Sequence, residues 1–248
     1  MSVIYILWLR QLKRYSRSRA RIVGSLGQPL LFLLALGFGF GPIYRRAGQG
    51  DYIQFLAPGV IAMAILFTSI FTGIEVIWDR QFGFLKETLV APVPRILIMI
   101  GRTLGGATVA LIQGVIVIVI CLLAGFRIHD LSQLPMTFVY MTLTALMFTA
   151  AGTAVASVLT DFQGFQIIMN FLVMPIFFLS GALFPLTNVP RAIEIIASCD
   201  PLSYGVDGLR HSLIGVAHFG QAADLAVLSA VTAVLLVLGG YLFSRIQL

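Results

Sequence analysis

Six long apolar runs organise this chain, at residues 22–41, 55–77, 103–126, 136–158, 165–184 and 225–243. A helix needs about 20 predominantly apolar residues to cross a ~30 Å hydrocarbon core, and each run is near or above that length. Backbone amides and carbonyls buried in lipid must be satisfied within the segment itself, so such runs fold as helices. The pattern predicts an all-α polytopic membrane protein of six transmembrane helices. The loops between them are too short for a separate water-soluble domain, and 1–248 reads as one transmembrane domain.

Three segments outside the spans carry patterns of their own. In residues 1–21, Ile4, Tyr5, Trp8, Leu12 and Tyr15 fall on one side of a helix, while Arg10, Lys13, Arg14, Arg17 and Arg21 gather opposite. That predicts an N-terminal interfacial helix with aromatic residues down and basic residues toward the headgroups. Between the second and third spans, Trp78, Phe82, Leu85 and Leu89 recur at helical spacing opposite Asp79, Arg80, Gly83, Lys86 and Glu87. A short amphipathic surface helix over 78–91 follows, stopped by Pro92 and Pro94, which lack the amide donor and restrict the preceding residue. After the fifth span, residues 185–215 are too apolar for an ordinary exposed loop. Pro190, following Asn188, and Pro201, following Asp200, signal two helix starts. Each helix is below spanning length, which predicts a re-entrant or interfacial position.

Composition narrows the class further. Mean hydropathy is +0.99, and charged residues make up 10% of the chain against roughly 25% in soluble domains. Lys and Arg beside the spans resist translocation. One side holds Arg10, Lys13, Arg14, Arg17, Arg19, Arg21, Arg80, Lys86, Arg95, Arg102 and Arg245, and the other holds Arg45, Arg46, Arg127, Arg191 and Arg210. Eleven against five places both termini in the cytoplasm, the parity an even number of spans requires. The net charge of +6 reads as topology and anionic-lipid contact rather than nucleic-acid binding. No small-residue cleavage site follows a short apolar core near the amino terminus, so 22–41 is expected to remain as a span.

Candidate chemistry is sparse. Cys121 and Cys199 lack metal-ligand or disulfide-framework spacing. His129, His211 and His218 lack HExxH or related spacing, so neither a catalytic residue nor a metal site is expected. A phosphate-cradling loop needs GxxxxGK[ST], and the sequence contains no Gly-Lys pair. Glu75 is the one acid well inside a span, where a carboxylate is costly and marks a partner or a pathway. Arg80 or Arg102 is its expected ion-pair partner. Asn170, Phe171, Phe177 and Phe178 are the other candidates for a substrate pathway, the aromatics as lining for an amphipathic molecule. Gly101, Gly105, Gly106, Ala110 and Gly114 place small residues where helices approach closely.

The order of a basic amphipathic amino terminus, a span pair, LKETLVAPVPRILIMIGRTLGG at 85–106 and FLSGALFPLTNVPRAIEIIASCDPLSYGVDGLR at 178–210 resembles the ATP-binding-cassette type-2 exporter permeases. That family includes drug-resistance, nodulation-factor and O-antigen exporters. The resemblance covers nearly the whole chain. It implies a homodimer of six-span permease subunits in the inner (plasma) membrane, each docked to a separate ATPase subunit that binds ATP and Mg, with no cofactor in this chain. It also implies that 78–91 is the coupling helix, with Arg80, Phe82, Gly83, Lys86 and Glu87 toward the ATPase, and that 185–215 forms extracellular re-entrant helices. The expected cargo is an amphipathic drug or lipid-like molecule, the alternative a polysaccharide or glycolipid. An ion-coupled transporter would call for inverted repeats or several intramembrane charges.

Overall fold

The structure, a computed structural model, describes residues 2–48, 50–84, 93–187 and 189–245. Its helices are α1 (Val3–Arg17), α2 (Arg19–Arg46), α3 (Tyr52–Phe71), α4 (Ile74–Gln81), α5 (Arg95–Leu123), α6 (Leu134–Val158), α7 (Phe162–Leu179), α8 (Arg191–Cys199), α9 (Pro201–Ile214) and α10 (Gln221–Ser244), with a 3-10 turn at Leu131–Gln133 leading into α6. No strand occurs among the described residues. Among the described residues, six helical segments are long and apolar enough to cross a membrane: Arg19–Arg46, Tyr52–Gln81, Arg95–Leu123, Leu131–Val158, Phe162–Leu179 and Gln221–Ser244.

Capping sets several boundaries. Asp51 accepts the Ile53 amide at the start of α3, Asp161 the Gly164 amide at α7, and Asp200 the Leu202 amide at α9. Each satisfies an amide the first helical turn leaves open. Gly215, at φ 76°, ends α9 in the left-handed conformation.

The centre of the bundle is α3, apolar on all sides and buried throughout 56–66. Lipid tails are as apolar as leucine, so helices in a membrane associate through close packing rather than apolar burial. Glycine provides that closeness here. On α5, a Cβ at Gly101 would lie 3.1 Å from Ile4, and one at Gly105 would lie 2.7 Å from Gln11; both are places where α1 lies along the helix. The opposite face of α5 meets α3 and α6, where a Cβ at Gly106 would reach Thr72 and Thr149, and one at Gly114 would reach Met141 and Ile65. The small-residue pattern on this span thus serves two interfaces. Between α3 and α4 the chain stays in right-handed helical dihedrals through Thr72 and Gly73 but tightens to three-residue hydrogen bonds, and there it crosses Gly152 of α6 backbone to backbone.

One end of the bundle gathers α1, the start of α2, α4, the start of α5, the end of α6, the start of α7 and the end of α10. Arg95 donates to the Ser244 carbonyl there, at 2.7 Å. At the opposite end Tyr52 donates to the Leu183 carbonyl at 2.7 Å, and the His129 amide to that of Leu213 at 2.9 Å. The two short helices after α7 begin at Arg191 and Pro201, as the proline signals predict. They behave differently: α8 is largely exposed, whereas α9 is buried along most of its length against α3, α6 and α10. Asp207 of α9 accepts the His218 and Phe219 amides and so closes the turn into α10. Arg210 donates to the Gly181 carbonyl and stacks over Phe55.

Candidate functional site

Two features at the basic end make up the candidate site: an eight-residue helix, α4, held from several sides, and a cleft beside it. On α4, Glu75 and Asp79 are four residues apart and so share a face. Each is 5% exposed. Arg10 of α1 grips Asp79 with both guanidinium nitrogens, at 3.1 and 3.0 Å, and Arg102 of α5 donates to the same carboxylate. Arg21 donates to Glu75 at 2.6 Å, with Arg14 at 3.5 Å from its other oxygen. A bidentate guanidinium fixes orientation as well as charge.

The remaining face of α4 is equally committed. Arg80 donates to the Ser157 and Leu159 carbonyls, at 2.9 and 3.1 Å, which the end of α6 leaves without helical partners. Trp78 stacks on Phe162 of α7 at 6.0 Å between ring centroids. Gly83, at φ 78°, then turns the chain out of the helix.

Several expectations are corrected by this geometry. Glu75 pairs with Arg21 and Arg14 rather than with Arg80 or Arg102. Arg80 lies five positions along the same helix, about 140° round the axis at 3.6 residues per turn, and cannot reach back. The stripe from Trp78 does not run as one helix, because Gly83 interrupts it: Trp78 closes the second span, and Phe82 is 83% exposed beyond it. Arg80 therefore does not share the surface of Phe82. Lys86 and Glu87 lie outside the described residues. In α1, Arg10 and Arg14 turn toward buried acids instead of headgroups, as does Arg21 at the start of α2. Trp8 donates to Thr108 and Tyr15 to Gln113, both on α5.

The cleft has a volume of about 340 Å³ and opens between α1 and α2 on one side and α3, α4 and α7 on the other. Phe67, Phe71, Trp78 and Phe162 provide apolar walls. Ser25, Gln28, Thr68 and Thr72 provide uncharged hydrogen-bonding groups, and the Arg21–Glu75 pair stands at the α4 side. Glu75 is thus the one sequence candidate that lines the cleft. Phe177 is fully buried against Phe32 and Phe67, while Phe171, Phe178 and Asn170 lie on the exposed face of α7. Asp79 and Arg10 were not among the candidates, and Arg102 was considered only as a partner for Glu75. Their signal was present as acids at i and i+4 facing a basic row at 10, 14 and 21.

Residues 2–214 match the family model of the ABC-2 type transporter. The chain belongs to that family. Among the relatives of this ABC-2 permease, Nodulation protein J of Rhizobium leguminosarum bv. viciae is 28% identical over 212 residues, covering 84% of this chain and 81% of the relative. Inner membrane transport permease YadH of Escherichia coli (strain K12) is 25% identical over 213 residues, covering 85% and 82%. Putative transport permease ycf38 of Cyanophora paradoxa is 25% identical over 214 residues, covering 84% and 72%. The family assignment and the six apolar helices make this chain a membrane permease.

Proposed function

We propose that this chain is the membrane-spanning subunit of an exporter that moves an amphipathic, drug- or lipid-like substrate outward. Two copies of the permease assemble with two copies of a separate ATP-binding subunit, which holds ATP and Mg. The basic end faces the cytoplasm, where Lys and Arg are retained, and the segment after Gly83 meets the ATP-binding subunit. The observation that carries the reading is the cleft at that end. Its aromatic walls accept a hydrocarbon portion, and its hydroxyl and amide groups accept a polar head. A substrate would enter it laterally from the membrane.

A second reading, export of a glycolipid or lipid-linked saccharide, is favoured by the four uncharged hydrogen-bonding side chains of the cleft, which match hydroxyl-rich heads. Proteoliposomes holding the permease with its ATP-binding subunit separate the two. A fluorescent short-chain phospholipid and a fluorescent lipid-linked oligosaccharide are offered in turn, and ATP-dependent movement between leaflets is followed. Movement of neither refutes the substrate class. ATP hydrolysis that follows this polypeptide alone through stringent purification refutes the division of labour.

A further inference from the structure

We infer that the end of the bundle opposite the basic one holds a proton-binding site, the carboxyl of Asp224, whose bound proton clasps the start of α10 to α9. On the proposed orientation that end faces outward, so the proton comes from outside. The site itself stands whichever way the ends face.

Asp224 lies in the first turn of α10, just before the apolar run 225–243, where α10 packs between α6 and α9. It is fully buried, and neither of its carboxyl oxygens has a hydrogen-bond partner among the described residues. Asp207 of α9 is near enough to act on it electrostatically. A helix start favours negative charge, but the nearby amides are already committed: those of His218 and Phe219 donate to Asp207, at 2.8 to 2.9 Å. Among the described residues neither acid forms an ion pair, and Arg210, one turn along from Asp207, donates to the Gly181 carbonyl and stacks over Phe55. The other groups facing Asp224 are Tyr140 of α6, Tyr204 of α9 and His218 of the turn. The Tyr140 hydroxyl points to the Gln221 carbonyl, at 3.4 Å, and α5 meets α10 at its other end, around Gly239 and Gly240. Two carboxyls sharing a buried site cannot both ionise, and hydrogen bonds to a carboxylate favour its charged form. The amides therefore hold the charge on Asp207, and the proton falls to Asp224. With the proton bound, the first turn of α10 packs dry against α9. Once it is lost, a bare buried charge beside Asp207 demands water, and the two helices part.

The test uses the full chain in nanodiscs, where both faces see one pH, so it depends neither on orientation nor on the ATP-binding subunit. The parent carries Cys121→Ala, Cys199→Ser and Asp200→Asn, the last so that Asp200 adds no titration of its own. A reporter, Thr144→Cys, is placed in the seam of α6, α9 and α10. Thr144 is fully buried, its hydroxyl has no partner to lose, and a Cβ at Gly205 would lie 2.8 Å from that hydroxyl and 3.9 Å from Leu228. Maleimide labelling is followed between about pH 6 and 9, where an ordinary aspartate is already ionised. Dividing each rate by that of the unfolded chain at the same pH removes the thiol's own titration. The corrected rate should climb with pH, by up to about tenfold per unit while the parted form is a minority. In Asp224→Asn, which copies the neutral acid, it should stay within about twofold over the whole range. The infrared carbonyl band of a protonated carboxylic acid needs no variant at Asp224: it should be present in the parent at about pH 6 and fade as labelling climbs. A flat corrected rate in the parent overturns the clasp. A slope that persists in Asp224→Asn belongs to a histidine and overturns it too. Where Asp224→Asn does not fold, the band decides: its fading in step with labelling supports the site, and its absence at about pH 6 overturns it.

Discussion

The crossing of Gly73 over Gly152 allows a sharp test of how this bundle holds together. An alanine Cβ at position 73 would stand 2.4 Å from the Gly152 carbonyl oxygen and 2.6 Å from its carbon, and one at 152 would stand 2.5 Å from the Ile70 carbonyl oxygen. Both obstacles are backbone, so no rotamer change relieves them and the helices must separate. Overpacking typically costs 1–3 kcal/mol, and an obstacle made of backbone atoms alone puts Gly73→Ala at the upper end, about 3 kcal/mol. Gly152 lies inside α6, where alanine is the better helix former by about 1 kcal/mol, so Gly152→Ala should cost about 2 kcal/mol net. At 2–4 °C per kcal/mol for a chain of this size, the apparent Tm should fall by about 6–12 °C for Gly73→Ala and about 4–8 °C for Gly152→Ala.

The control is Gly39 of α2, around which a Cβ meets nothing within 4 Å. Gly39→Ala should leave the apparent Tm unchanged or raise it. The double variant discriminates further. Once the first alanine has parted the backbones the second finds space, so the combined loss should fall short of the sum of the two, as expected for residues in contact. Thermal unfolding followed by tryptophan fluorescence suits the measurement, because Trp78 sits on α4 just beyond the crossing. If Gly73→Ala unfolds within about 2 °C of the parent, or if the two losses add fully, the close crossing is wrong.

Two other outcomes are expected. Burial pushes the Asp200 carboxyl up to about 7 from an ordinary 3.8, offset only in part by the hydrogen bond from the Leu202 amide. Between those values the folded chain holds a proton that the unfolded chain has lost, so stability falls with rising pH by at most about 1.4 kcal/mol per unit. Asp200→Asn keeps a capping side chain and should flatten the apparent Tm between about pH 4 and 7; an undiminished slope counts against the buried carboxyl. For topology, Asn188→Cys and Val216→Cys, each in a chain cleared of Cys121 and Cys199, should react with an impermeant maleimide from outside, and Gln163→Cys should not. Labelling of Val216→Cys from the cytoplasm alone would reverse the assignment of the ends.

The spans were readable because hydropathy is a local property, and the deviations from that reading have local causes too. The third span begins at Arg95, eight residues before its apolar run, because Arg95 and Arg102 lower the local hydropathy while the helix continues through them to reach Ser244 and Asp79. The starts of α8 and α9 were equally plain, since proline and a capping aspartate act within one turn. The close crossing at Gly73 left no trace in the apolar pattern: it depends on Gly152, far along the chain, giving the backbone room.

Side-chain fate is where local reading stopped. Phe171, Phe177 and Phe178 look alike in sequence, yet six positions turn a helix about 240° and seven about 340°. Phe177 consequently faces Phe32 and Phe67 in the core, while Phe171 and Phe178 share the outer face of α7. Glu75 shows the same limit from the electrostatic side. Nearness in sequence favoured Arg80, but rotation about the helix axis sends Arg80 to the carbonyls ending α6 and leaves Glu75 facing Arg14 and Arg21. The partners of both buried acids on α4 were chosen by helix packing. Gly101 and Gly105 bring α1 close enough to α5 for Arg10 to meet Asp79 beside Arg102. The small residues that looked like packing alone are thus a precondition for the charged network.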